Sequence, residues 1–226
     1  TFVVGDWSFT VTDADAKTVS VSKTDGITGN VVIPPSVSNE SVTYAVTSVA
    51  ENGFTSTAIT GVTIPASVTS LGAWAFRECG SLASITIEDS DEPLALVAGY
   101  YSSFAWSTAD KTVYIGRDFT LTGGNTPFSD VTSVVFSNKV TTIPNNLFYG
   151  NTKLKSITIG DGVTTIGSSA FNSAGIDDGV EELQVTLGSN IEIIKESAFN
   201  SCSKLKAITL PSTLTVIEGY VFAYTA

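Results

Sequence analysis

The chain has 226 residues, 42% of them hydrophobic, enough to bury a substantial core. Eleven lysines and arginines stand against twenty-two aspartates and glutamates; the resulting net charge of -11 repels a phosphate backbone and speaks against nucleic acid as a partner. There is no histidine, which removes the commonest general base and metal ligand, and no apolar run reaches the roughly 18 residues of a membrane-spanning helix.

The first segment, residues 1–35, reads as a β cap. Apolar and polar residues alternate from Phe2 to Val11 and from Lys17 to Val21 around a turn at Asp13, Ala14 and Asp15, the pattern of a β-hairpin. Val31, Ile33 and Pro34 then resemble the end of a repeat strand. The opening residues carry no basic stretch followed by an apolar one, so no secretion leader is expected within this sequence.

Residues 36–226 read as a repeat array of about eight coils, the last incomplete. It registers on Phe54, Phe76, Phe104, Phe128, Phe148, Phe171, Phe199 and Phe222, at steps of 22, 28, 24, 20, 23, 28 and 23 residues. A period near 23 lies within the leucine-rich repeat range. Six, nine and eleven residues after the phenylalanine come Leu82, Ile85 and Ile87, then Leu154, Ile157 and Ile159, then Leu205, Ile208 and Leu210. The last two positions of each set are two apart and point to one face of a strand. A second strand signal follows, as in Val68-Thr-Ser-Leu71, Val140-Thr-Thr-Ile143 and Leu214-Thr-Val-Ile217, and then a turn back to the next phenylalanine. The fold class is therefore mainly β with short helical turns, a leucine-rich repeat solenoid with an N-terminal β-hairpin cap. It is a single domain, because no coil can bury its own apolar face.

The pattern also resembles the BspA-like leucine-rich repeat family of bacterial cell-surface proteins. It is carried by Ile64-Pro-Ala-Ser-Val68, by residues 75–87, 157–171 and 198–222, and by a cap-like opening at Gly5-Asp-Trp-Ser-Phe-Thr-Val-Thr12 with Val31-Val-Ile-Pro34. The resemblance implies an extracellular or cell-surface protein that binds protein or glycan partners on a cell or matrix surface without catalysis. The eighth phenylalanine is followed by no obvious polar cap for the array, so further chain is expected beyond Ala226.

Irregularities mark where recognition is expected. Residues 88–102 and 173–182 lengthen two coils, and such insertions usually form surface loops. The outward mid-strand residues form a series, Thr63, Thr86, Tyr114, Val135, Thr158, Thr186 and Thr209, broken only at Tyr114 and Val135. That break and the nearby Tyr100, Tyr101 and Trp106 are the candidate binding residues, since Tyr and Trp offer flat apolar area with a polar handle. Either they anchor a ligand or they fill the gaps of an irregular coil. An adhesion module using the Thr-rich face is the main expectation; a carbohydrate-binding accessory domain and a structural spacer are the alternatives.

Nothing points to catalysis, a cofactor or a metal. There is no phosphate-binding loop, no nucleophile elbow and no histidine for a triad. The acidic run at residues 88–92 and the acids at 177–178 and 181–182 lack the spacing of a calcium loop and read as solvated loops. Lys153, Lys155, Lys204 and Lys206 read as surface ion-pair partners. Cys79 and Cys202 both lie three residues after a registering phenylalanine, five coils apart. At roughly 4.8 Å per stacked strand they are far beyond the ~7 Å reach of a disulfide, and each reads as a small buried thiol.

Overall fold

The structure is a computed structural model that describes every residue except Asp25, Ala105, Ser107, Gly124, Asn125 and the side chain of Tyr101. Three antiparallel strands open the chain: β1 (Phe2–Val4), β2 (Trp7–Asp13) and β3 (Thr18–Lys23). Next, β4 (Thr28–Val32) joins the repeat array, and β5 (Ser36–Asn39) folds back on β6 (Val42–Val49), which runs parallel to β3. Antiparallel pairing thus recurs at residues 36–49, a hairpin the periodicity did not announce.

From there the strands alternate between two faces of each coil. One face holds β7 (Ala58–Ile64), β9 (Ser84–Ile87), β11 (Lys111–Ile115), β13 (Val131–Phe136), β15 (Ser156–Ile159) and β17 (Gln184–Thr186), which with β4 make a seven-stranded parallel sheet. The other face holds β8 (Ser70–Leu71), β10 (Leu94–Val97) and β12 (Phe119–Thr122), continuing the cap sheet through β6. It resumes as a separate sheet of two-residue strands, β14 (Thr142–Ile143), β16 (Thr165–Ile166), β18 (Ile193–Ile194) and β19 (Val216–Ile217). The second strand of each coil, expected from the Val-Thr-x-Ile signals, is present but short.

Two expectations are corrected here. Residues 88–102 are not simply a surface loop, because β10 lies within them, bridging β8 and β12, with Leu94 and Leu96 buried. The extra length is taken up on either side of that strand. Thr209 does not extend the threonine series within a sheet, because residues 205–210 form no ladder pairing and the sheet ends at β17.

The core follows the pattern read from the sequence. Val62 and Ile64, Ile85 and Ile87, Val113 and Ile115, Val134 and Phe136, and Ile157 and Ile159 are all buried, and each such side chain contributes about 1.5–3 kcal/mol by leaving water. Along the third side of every coil, the registering phenylalanines stack ring on ring. Centroids from Phe54 to Phe222 lie 5.2 to 5.9 Å apart with interplanar angles of 3° to 27°. Trp7 of the cap closes the top of this column edge-on to Phe54 at 5.9 Å.

Backbone packs on backbone at the corners. A Cβ on Gly72 or Gly167, each just before an aromatic turn, would lie 2.5 Å from Glu51 N or 2.6 Å from Asn145 N of the preceding coil, so only glycine fits. Two buried cations interrupt this apolar stack. Lys111 takes the place that Leu82, Val131 and Leu154 hold in other coils, and its ammonium donates to Ala109 O at 2.7 Å. Burial, offset in part by Asp130 and Asp110, pulls its pKa below the ordinary lysine value. Arg117, in the corner after β11, donates to the carbonyls of Pro65 (2.8 Å), Val68 (2.9 Å), Ala66 (3.1 Å) and Glu88 (3.0 Å). One guanidinium thereby ties three successive coils together at a corner.

Candidate functional site

The pleat of the seven-stranded sheet sends alternate residues outward in register. One outward row runs Val32, Thr63, Thr86, Tyr114, Val135, Thr158 and Thr186. The other runs Asn30, Gly61, Ser84, Thr112, Ser133, Ser156 and Gln184. Neither row holds a charged side chain, in a molecule of net charge -11. Tyr114 and Val135 are half-buried neighbours in the middle of the face, on the wall of a cleft of about 130 Å³ with Ser84, Thr86, Thr112 and Ser133. The Tyr114 hydroxyl donates to Asp89 Oδ1 at 2.9 Å, and burial followed by that carboxylate raises its pKa above the ordinary tyrosine value.

Tyr100 and Trp106 lie elsewhere, on the side formed by the phenylalanine turns. They are 67% and 47% exposed and meet edge to face at 5.6 Å and 78°. Tyr100 also meets Trp74 edge-on at 6.2 Å, and the Trp74 indole N–H donates to Tyr100 O at 3.1 Å. Between the indoles sits Arg77, its guanidinium 5.2 Å from the Trp74 ring centre and 5.4 Å from that of Trp106. A cation over aromatic faces is attracted by their negative quadrupoles, so the two indoles and the arginine hold one another in place. Arg77 is also 3.5 Å from Glu78, which balances its charge.

The turns explain how these rings are displayed. The residue two before or two after the registering phenylalanine repeatedly adopts a left-handed backbone: Asn52 and Ser56, Trp74 and Glu78, Ser169 and Ser173, Ser197 and Ser201. Trp106 (φ 55°) is the residue two after Phe104. Alternating handedness aims every second N–H at the next coil, as in Asn52 N to Ala73 O, Phe54 N to Ala75 O and Ser56 N to Arg77 O. The left-handed side chains stand at the corners of the turn.

The structure therefore divides the sequence-derived candidates into two groups on different sides of the coil. Tyr114 and Val135 share the sheet face; Tyr100 and Trp106 share the turn face; the side chain of Tyr101 lies outside the described residues. Trp74 and Arg77 complete the aromatic group and were not singled out from the sequence. Their signal was the offset from Phe76, minus two and plus one, which becomes meaningful only once the turn geometry is known.

The remaining polar groups serve local structure. In the acidic run, Glu88 accepts from Ala66 N, Asp89 from Tyr114, and Asp91 pairs with Lys139 at 2.8 Å. Lys153 bridges Asp110 and Asp130 at 2.9 and 3.0 Å, and these partners raise its pKa. Among the described residues, no three His, Cys, Asp or Glu side chains are grouped to hold a metal ion, and no helix is long and apolar enough to cross a membrane. Both cysteines are buried and unbridged.

A family model described as BspA type leucine rich repeat region matches residues 47–177 and 125–226, with six copies of the repeat. A leucine-rich repeat protein from T. pallidum superposes with a TM-score of 0.53 at 20% identity, over 95% of this chain and 83% of that one. One from Bacteroides ovatus is 20% identical over 99% of this chain and 80% of its own, TM-score 0.47. A leucine rich cell surface protein from Faecalibacterium prausnitzii is 19% identical over 98% and 85%, TM-score 0.36. A search of the curated proteins found no match. With the repeat model spanning most of its length and the coil stack as described, the chain belongs to the BspA-type leucine-rich repeat family.

Proposed function

We propose that this protein is a non-catalytic binding module, displayed outside the cell, that grips a protein partner through the outward face of its seven-stranded sheet. The observation that carries this reading is the charge-free double row on that face. Interface centres are depleted of charge, whereas ordinary surface is not; strand propensity and the repulsion of like charges stacked in register favour the same Thr-rich ladder, and the face they leave has the composition of an interface centre. Tyr114 and Val135 supply apolar area at the middle of the face, where hot spots concentrate, and the hydroxyl rows around them supply adaptable hydrogen bonds. The family, and the description of the F. prausnitzii structure as a cell surface protein, support an extracellular setting.

Two substitutions test it on an array of extracellular-matrix and cell-surface proteins. Tyr114→Thr restores the plain threonine row, and Thr86→Glu puts a carboxylate inside the face. Each is expected to weaken a bound protein by about tenfold or more while the melting temperature stays nearly unchanged, since the removed groups stand outside the core. Binding that survives both changes would remove the sheet face from the mechanism.

A further inference from the structure

The turn face carries a second, independent feature. Its aromatic side chains are not what the turns require. A left-handed backbone costs a side chain about 1–2 kcal/mol, and equivalent turn positions hold Asn52, Ser56, Ser173 and Ser201 in some coils and Trp74, Tyr220 and Tyr224 in others. Trp106 takes a bulky side chain into that conformation and leaves it half exposed, although serine suffices at the same place in other coils.

Tyr100 and Trp106 line a cleft of about 180 Å³ together with Thr126, Phe128 and Ser129. A second cleft of about 150 Å³ adjoins it, shares Thr126, Phe128 and Ser129, and is walled by the exposed Tyr149. Each is smaller than the roughly 300–1,000 Å³ of a drug-sized pocket, and a pair of such hollows is not the broad patch of about 800 Å² that a protein partner covers. Two small aromatic-walled hollows side by side match consecutive rings of a chain molecule. The charged residues that line them, Lys153 and Asp130, pair with each other at 3.0 Å, so the walls offer no uncompensated cation to an acidic ligand.

We propose that the clefts beside Trp106 and Tyr149 form a binding groove for a neutral oligosaccharide. Successive pyranose rings lay their C–H faces on the aromatic walls, and Ser129, which lines both clefts, and the Lys153–Asp130 pair of the second offer polar partners to their hydroxyls. The site is separate from the sheet face and does not depend on the protein-binding reading.

The test titrates the purified protein with cellohexaose, laminarihexaose, mannohexaose and xylohexaose, with hexagalacturonic acid as the carboxylated probe. Tryptophan fluorescence and calorimetry give the readout. At least one neutral hexamer is expected to bind saturably, with an affinity unchanged within about twofold between ~0.05 and ~0.5 M salt, because no ion pair forms. Trp106→Ser, which installs the residue of the equivalent turns, should weaken it by about tenfold; Trp106→Phe should retain most of it; Tyr149→Ala should weaken the hexamer more than the disaccharide. Tyr114→Thr and Thr86→Glu should leave sugar binding unchanged, which keeps failure of this site distinct from failure of the sheet face. Absence of saturable binding by every neutral hexamer overturns the proposal. So does salt-sensitive binding of hexagalacturonate alone, binding indifferent to Trp106→Ser, or a Trp106→Ser defect confined to a protein partner.

Discussion

Cys79 and Cys202 hold one position of the repeat, and each thiol donates to the carbonyl of the phenylalanine one coil earlier, Phe54 at 3.1 Å and Phe171 at 3.2 Å. Burial raises both thiol pKa values, that of Cys202 from 9.0 to about 12. In the unfolded chain the thiol ionises near 9, whereas in the folded chain it stays protonated, so stability is intact below pH 9 and falls as pH rises toward 12. The slope is about 1.4 kcal/mol per pH unit for each such group. Urea unfolding at about pH 8 and about pH 10.5 should therefore show a larger loss for the native protein than for Cys202→Ala, tyrosine ionisation being common to both. Equal losses would mean that water reaches the thiol. Arg117 makes the opposite kind of contribution, through hydrogen bonds to four carbonyls rather than packing. Arg117→Met fills its space but leaves four acceptors without their donor, and should lower unfolding free energy by about 3–5 kcal/mol; Arg117→Lys recovers little, because an ammonium cannot span that fan of carbonyls. A melting temperature unchanged in Arg117→Met would show that water replaces the guanidinium.

At the scale of elements, the sequence was most legible where every coil repeats the same need. The phenylalanine column and the Ile-x-Ile strands read directly, because stacking like on like imposes one residue type at one offset. The coil after Phe128 reaches its strand three residues sooner and still buries Val131, Val134 and Phe136 in register, so the same need is met with a shorter turn. Legibility failed where backbone took over from side chains. The strand Leu94–Val97 was hidden in an apparent insertion, because β8 before it is only two residues long and leaves almost no pattern to extend. The hairpin of β5 and β6 was masked because its second strand also carries the Val46-Thr-Ser-Val49 signal of the repeat. Lys111 and Arg117 carried no signal of their own in the sequence, since only three-dimensional placement shows that one stands on a leucine position and the other under a corner. The candidate site was half legible for the same reason. Tyr100, Trp106, Tyr114 and Val135 stood out as breaks in the pattern, but their separation onto two sides of the coil depends on the left-handed turns, which composition does not encode.

For the whole molecule, cooperativity is the open consequence of a stack in which each coil packs mainly on its neighbours. The seven-stranded sheet and the phenylalanine column run unbroken from Phe104 to Phe171, but the opposite sheet stops at β12 and restarts at β14. Across that gap the Asp118 carboxylate takes the place of a strand carbonyl. It accepts from Thr141 N at 2.8 Å and Thr142 N at 3.1 Å, and from the Thr141 hydroxyl. Charge-assisted bonds of this kind are worth about 1.5–3 kcal/mol each, and here they fall on the junction where one face has no ladder. Asp118→Ala is therefore expected to weaken the coupling between the two parts of the array, turning a single urea transition into two, with amides of residues 142–194 exchanging ahead of those of residues 58–97. Asp161→Ala is the control. Asp161 accepts from Ser189 N at 2.7 Å between coils whose β16 and β18 remain paired, so its loss should lower the midpoint without splitting the transition. If both variants unfold in one step of unchanged steepness, the continuous sheet and the phenylalanine column suffice to hold the array as one cooperative unit, and the gap in the opposite sheet has no energetic consequence.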